Sequence, residues 1–322
     1  IQIIPSMPTR EVVETIRVAE ELGYTYCLMA DEGFMPDVYV TLGIAAEHTR
    51  RVMLGPVTNG YTRHPAATAA ALATLNEATG GRALVSLVAG GSMVLNPMSI
   101  ERQAPVTVMR ETIEILRLLW SGEAVSYQGQ RYQLNNAQIH MGPQAIPIWM
   151  AVRGSRLMEL AGELADAVVM VIKSDVPAAV QLVEQGSAKN GRRPLRVYLD
   201  RMAFTEDMVS QARTLYAYVL MDTPPRQLAG LGLTPDRVAE IAQAMDVGGP
   251  AAAAKLITPE MLKRYQIAGT REECVQALED LVKAADVDVF MLNATSGDLK
   301  ENIHLMEHTR ILAEECGKEV AN

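Results

Sequence analysis

Short apolar runs alternate with amphipathic stretches along almost the whole chain, and the change of period between them sets the order of elements. The run 2–5 reads as a first strand, and 9–22 as a helix with Thr9 as its cap and Gly23 as its stop. Tyr26-Cys-Leu-Met29 reads as a second strand ending in Ala30-Asp31-Glu32-Gly33. A helix over 38–48, a third strand over 52–54 and a helix over 65–78 follow, the last with Pro65 in its first turn and Gly80-Gly81 beyond its end. The fourth strand, 83–88, opens into Ala89-Gly-Gly-Ser92, and 106–120 is an amphipathic helix. Residues 125–133 alternate around Gly129 and are expected to form a hairpin excursion over about 123–136. Strands over 148–151, 167–172 and 195–204 come next, the first two followed by helices ending near 165 and 189. A broken helical stretch over 206–265, a helix over 272–285, an eighth strand over 287–292 and a closing helix complete the pattern.

Eight strands separated by helices, with no low-complexity linker, predict an α/β fold: a (βα)8 TIM barrel forming a single unit over 1–322. The stretch 206–265 is too long for one crossover and is expected to be a helical insertion before strand eight. An open doubly wound sheet also alternates, but it usually has fewer strands, and no GxGxxG follows strand one.

Composition narrows the function classes. Apolar residues make up 49% of the 322 but aromatics only 5%, so a large core is built mainly from aliphatic side chains and Met. A formal charge of -9 argues against a nucleic-acid or anionic-membrane binder, whose footprint is basic, while an anionic cofactor needs only a few local donors. Cys27, Cys274 and Cys316 are odd in number and widely spaced, which fits a reduced, cytoplasmic protein better than a disulfide framework or zinc site. His304 and His308 stand at i, i+4, but with Glu301 and Glu307 beside them an exposed helix face is the expectation, and no metal site is assigned. No long apolar span is present, so no membrane partner is expected.

In a barrel of this kind the polar residues that matter stand where strands end and loops begin. The run Leu54-Gly-Pro-Val-Thr-Asn-Gly-Tyr-Thr-Arg-His-Pro65 releases hydroxyl, amide and Arg groups just before a helix, and its Gly-Pro step is expected to admit the flat face of a ligand. Asp31-Glu32 is the acidic pair directly after a strand in the first half; two neighbouring carboxylates can hold one proton between them, or Asp31 can cap a helix while Glu32 is solvated. Val152-Arg-Gly-Ser155 reads either as an anion cradle at a helix N-terminus or as an ordinary cap. Gly90-Gly91 permits a ring to lie against backbone or is a plain turn, and Arg63 and His64 serve an anionic tail or rim salt bridges.

The chain resembles the bacterial-luciferase-like superfamily and, within it, the coenzyme F420-dependent methylenetetrahydromethanopterin reductases. The similar segments are Ile1-Gln-Ile-Ile-Pro5, Asp31-Glu32, Leu54-Gly-Pro-Val-Thr-Asn59, Leu75-Asn-Glu-Ala-Thr-Gly-Gly-Arg82 into Ala89-Gly-Gly91, Ile148 through Asp166, and Ala253 through Met261 to Ala268-Gly-Thr270. The resemblance implies an oxidoreductase that moves a hydride between F420, or alternatively FMN, and a small organic, pterin-like acceptor. It implies a ring lying over Gly55, Pro56, Val57, Thr58 and Asn59 at a cis peptide within 55–57. Ala89, Gly90, Gly91, Val152, Gly154 and Ser155 complete the expected cofactor site, and a homodimer or larger oligomer is implied. This chain departs from the reductases in two places: Gln2 stands where they carry Glu, and Asp31-Glu32 where they carry Asp-His. Glu32 and Asp31 are therefore the candidates for proton handling, and Gln2 for orienting the acceptor. A monooxygenase using FMN and a cofactor-binding protein without turnover are the alternatives.

Overall fold

The computed structural model describes residues 1–221 and 223–316. Its elements are β1 (Gln2–Ile3), α1 (Thr9–Glu21), β2 (Tyr26–Ala30), α2 (Val38–His48), β3 (Met53–Thr58), α3 (Pro65–Ala78), β4 (Val85–Val88), α4 (Ser92–Leu95), α5 (Pro105–Leu119), β5 (Val125–Gln128) and β6 (Gln133–Ala137). They continue as β7 (Ile148–Ala151), α6 (Ser155–Leu164), β8 (Ala167–Met170), α7 (Val176–Ser187), β9 (Leu195–Asp200), α8 (Glu206–Met221), α9 (Pro225–Gly230), α10 (Pro235–Ala254), α11 (Pro259–Tyr265), α12 (Arg271–Ala285), β10 (Val289–Ala294) and α13 (Leu299–Glu315).

Eight parallel strands close in the order β1-β10-β9-β8-β7-β4-β3-β2, while β5 and β6 pair antiparallel as a separate hairpin. This is a TIM barrel, and its strands alternate between two apolar layers. Leu28, Val57, Leu84, Trp149, Val169, Val197 and Met291 fill the barrel interior. The alternate positions, such as Cys27, Leu54, Val85, Met150, Val168 and Tyr198, pack outward against the helices. Each fully buried aliphatic side chain contributes about 1.5–3 kcal/mol, which is why a core poor in aromatics suffices.

Local chemistry explains most boundaries. Gly23, at φ 86°, ends α1, and Thr270 with Glu273 forms a capping box at α12. Thr9 is the first helical residue of α1 rather than its cap; Pro8 occupies the cap position and offers no hydroxyl. Strand one stops at Ile3, where Pro5 cannot extend a ladder.

The third strand corrects the sequence reading most. It runs on to Thr58, because Gly55, Pro56 and Val57 stay in register with Leu28, Met29 and Ala30 of β2. The peptide bonds of the described residues are trans, so the cis bond implied within 55–57 is absent. Extended backbone paired along this whole length is the reason. Gly55 has a different cause from the one expected: a Cβ there would lie 1.9 Å from the Leu84 carbonyl oxygen, so its missing side chain lets two strands approach.

Two further glycines position the site. A Cβ on Gly162 of α6 would sit 2.0 Å from Val183 O of α7, and one on Gly186 of α7 would sit 1.9 Å from Glu159 O of α6. Each helix thus touches the other's backbone, and this fixes the direction in which the α6 N-terminus points at the barrel mouth. Helices α8 to α11 fill 206–265, with α10 bent at Gly249 (φ 69°, ψ −171°) and Pro250.

Candidate active site at the barrel mouth

The C-terminal strand ends bring the predicted residues to one rim, but alternation sorts them onto two sides. Gln2 is in register with Leu28 and Asn293 and shares their interior side. It is 8% exposed; its Nε2 lies 3.5 Å from Asn293 Oδ1, and its buried Oε1 has no partner among the described residues. A buried carbonyl oxygen left without a donor costs about 1–3 kcal/mol, so this amide is able to accept from a bound N–H or O–H.

Asp31 and Glu32 separate. Thr58 Oγ1 donates to Asp31 Oδ2 at 2.8 Å, and Thr58 is fully buried in the outer layer, so both face away from the mouth. The Thr58 side chain and Asp31 therefore sit behind the rim rather than in it. Glu32, one residue on, falls on the mouth side and is half-buried. Its carboxyl is held above the usual range, first by loss of solvation and then by the charge of Asp31.

The rest of the 55–64 run serves the loop itself. Asn59 Oδ1 accepts from Tyr61 N at 2.8 Å and Thr62 N at 3.0 Å, an Asx turn that turns the chain out of β3. Val57 belongs to the barrel core and Pro56 is buried. Arg63 lays its guanidinium over the Tyr39 ring, 4.1 Å from the centroid, and His64 Nδ1 accepts from Ala66 N to cap α3. Neither forms a rim salt bridge among the described residues. From the hairpin, Tyr132 OH donates to Gly60 O, and Glu111 accepts from the N–H groups of Gln130, Arg131 and Tyr132. The hairpin excursion thus braces the loop after β3.

After β4, Ala89 is half-buried, Gly90 is buried at φ 81° beneath Leu95 and Tyr61, and Gly91 is exposed. After β7, Val152 turns outward into the helix layer, while Gly154 and Ser155 open α6 without a side-chain cap. A Cβ on Gly154 would meet nothing within 4 Å. A side chain at the N-cap position of α6 would therefore meet no neighbour among the described residues.

The structure adds residues the sequence pattern passed over. Lys173 follows β8; burial pulls its ammonium below the usual value, Asp200 partly opposes this, and no hydrogen bond or ion pair holds it among the described residues. Arg201 follows β9, is 8% exposed, and is paired to the neutral amide of Gln211 rather than to a carboxylate. Asp200 is fully buried, and burial raises it to about 6 although Tyr198 OH, Met202 N and Ile267 N all donate to it. Its work is to tie the segment returning from the insertion to the barrel. The expected strand over 195–204 ran past the observed end at Asp200 and so covered Asp200 and Arg201, whereas Lys173 stood directly after the expected strand 167–172. Their signal was available, as charged residues directly after apolar runs.

Other sequence candidates stay apart from this rim. His304 and His308 lie on α13 with ring centroids 4.0 Å apart. Among the described residues no three His, Cys, Asp or Glu side chains converge as for a metal ion. Cys27 and Cys274 are core residues whose thiols burial pushes up to about 12. No described helix is long and apolar enough to cross a membrane.

Comparison with known proteins agrees with this architecture. The chain is 32% identical to 5,10-methylenetetrahydromethanopterin reductase of Archaeoglobus fulgidus over 95% of its length and 96% of the relative's. It is 30% identical to the enzyme of the same name from Methanolobus tindarius, covering 92% and 93%. The solved coenzyme F420-dependent tetrahydromethanopterin reductase from Methanopyrus kandleri superposes with a TM-score of 0.86 at 26% identity, over 95% of both chains. An F420-dependent secondary alcohol dehydrogenase shares the fold, with a TM-score of 0.73 at 19% identity over 95% and 96%. The sequence profile described as luciferase-like monooxygenase matches residues 3–319, and the chain belongs to that family.

Proposed function

We propose that this protein is an oxidoreductase moving a hydride between coenzyme F420 and a small, pterin-like organic acceptor. One observation carries the reading: the rim divides into an acceptor-rich side (Gln2, Glu32, Asn293) and a cationic side (Arg153, Lys173, Arg201). A deazaflavin coenzyme has a flat uncharged ring and an anionic tail, and the residues fit it in that orientation. The α6 N-terminus at Gly154 and Lys173, which has no hydrogen bond or ion pair among the described residues, would hold the phosphate, and Ala89, Gly90 and the Asn59 turn would hold the ring.

The bound coenzyme supplies the hydride from C5 of its ring. The residues do the remaining work. Gln2 Oε1 accepts a hydrogen bond from the acceptor and fixes its face toward the ring. Glu32, protonated more readily than an ordinary Glu, holds the proton that balances the arriving hydride. Loss of solvation, and to a lesser degree the charge of Asp31, favours that state of Glu32, while Thr58 keeps Asp31 in place. The barrel, its hairpin and its insertion act as one unit around this rim.

A second copy completes the quaternary reading. The outer side of α2 carries Val40 at 64% exposure and Ile44 at 42%, with Phe34 at 69% just before the helix. Beside it α3 exposes Ala67 and Ala70. We propose that these faces meet in a homodimer, in a cytoplasmic protein; light scattering that finds a monomer at working concentration removes the proposal.

Anaerobic mixing of the protein with reduced F420 and methylenetetrahydromethanopterin tests the function. Oxidation of F420 coupled to loss of acceptor supports it. Turnover with FMN in place of F420 moves the protein to the flavin branch, and binding without turnover of any acceptor reduces it to a binding protein.

A further inference from the structure

The turn 152–155 is held from outside the barrel. Gln227 of α9 is 2% exposed, and its Nε2 donates to Arg153 O at 3.1 Å and to Asp175 Oδ2 at 2.5 Å. Both partners are acceptors, so both Nε2 hydrogens are used and the orientation of the amide is fixed. Its Oε1 is buried without a partner. The Arg153 side chain is held from the same direction, Nη1 donating to Thr223 Oγ1 at 3.3 Å, and that hydroxyl donates to Val219 O at 2.8 Å. Main chain and side chain of Arg153 are thus both anchored to the insertion, one residue before Gly154, the N-cap position of α6.

We propose that Gln227 is a positioning residue: it sets the 152–155 turn so that the α6 N-terminus receives a phosphate group, and it thereby makes the protein prefer phosphate-bearing coenzymes over the same rings without phosphate. The inference rests on the reading of 152–155 as the phosphate end of the cofactor site. Gln227 touches the turn and the Asp175 carboxylate that starts α7, so it aligns the two helices whose glycines interlock. Without its two donors the Arg153 carbonyl and Asp175 lose a shared anchor, and the turn relaxes away from the phosphate. Gln227 makes its hydrogen bonds to Arg153 O and Asp175 and not to the β3 and β4 ends that would hold the ring, so a ring bound there would keep its place.

The test compares dissociation constants for two pairs: F420 with its phosphate-free deazaflavin chromophore, and FMN with riboflavin. Gln227→Met keeps length and removes the donors; Thr223→Val removes the hydroxyl contact to Arg153. Gln227→Met should weaken the phosphate-bearing member by about tenfold or more while the phosphate-free member changes by less than about twofold, and Thr223→Val should shift the ratio in the same direction by less. An unchanged ratio in both variants, or equal loss for both members, overturns the proposal. If Gln227→Met does not fold, Thr223→Val decides alone. A wild-type protein that binds the FMN pair but not F420 refutes the F420 reading and leaves this inference to be decided on FMN against riboflavin. Binding of neither pair refutes both.

Discussion

Around β1 and β2 the mouth carries an amide whose oxygen has no partner among the described residues and a half-buried carboxyl held above its usual range; around β7 to β9 stand Arg153, Lys173 and Arg201, with the carboxylates of Asp175 and Asp200 among them, beside a helical insertion. The first side is assembled from strand ends alone. The second depends on Gln227, Thr223 and the segment tied down by Asp200. In the proposed reading, proton handling falls to the side where desolvation raises a carboxyl, and an anionic tail to the side where a desolvated lysine has no hydrogen bond or ion pair among the described residues.

The largest expected effect falls on the first side. Glu32→Gln keeps the shape and removes the transferable proton, so turnover should drop roughly 100-fold, about 2.7 kcal/mol, with cofactor affinity little changed. Because the carboxyl is raised, the wild-type rate should be high while Glu32 is protonated and fall as pH rises through its shifted value; the variant should lack that limb. Steady-state kinetics against pH check both statements. A loss of affinity with a normal rate per bound cofactor would instead make Glu32 a binding residue.

Asp200 tests the second side through stability. Asp200→Asn replaces one acceptor oxygen by a donor facing N–H and O–H groups, and should destabilise by about 1–3 kcal/mol in a urea titration. In the wild type the folded-state value of about 6 lies above the unfolded 3.8, so the native state binds this proton more tightly. Its contribution to stability is therefore full below the unfolded value and declines as pH rises toward about 6, then levels off. A flat profile for the Asp200-dependent part would remove the buried-carboxyl assignment.

How much of this could be read from the chain differs between the same two sides. The eight strands, the hairpin and the helical stretch are legible because burial on one or both faces imposes a period. Asp31, Glu32 and Gln2 are legible because short strands end cleanly before them. That Asp31 and Glu32 part company follows only from strand alternation once β2 is placed, and that Gly55 serves strand approach follows only from the proximity of Leu84. On the second side the strands were drawn too long, since Ile172 and Met202 to Phe204 are as apolar as the strands they follow. Gln227 and Thr223 left no local signal, because their partners lie 74 and 70 residues away in sequence.

Gly154→Leu probes the cationic side with little risk to the fold: backbone φ is −73° and a Cβ meets nothing within 4 Å. Filling that space should weaken cofactor binding more than about tenfold, about 1.4 kcal/mol, in a fluorescence titration. Unchanged affinity would move the phosphate elsewhere. The smallest effect is expected from Asp31→Asn. Desolvation, the larger cause of the Glu32 shift, remains, so the descending limb of the rate profile should move only slightly to lower pH and stay above the ordinary glutamate range. A larger displacement would make the Asp31 charge the dominant cause.

Parallel titration of the wild-type protein with F420 and with FMN at low and high salt tests the central claim most directly. Saturable F420 binding is expected, tighter than that of FMN and weakening as salt screens Arg153, Lys173 and Arg201. No F420 binding, or tighter binding of FMN, would contradict it.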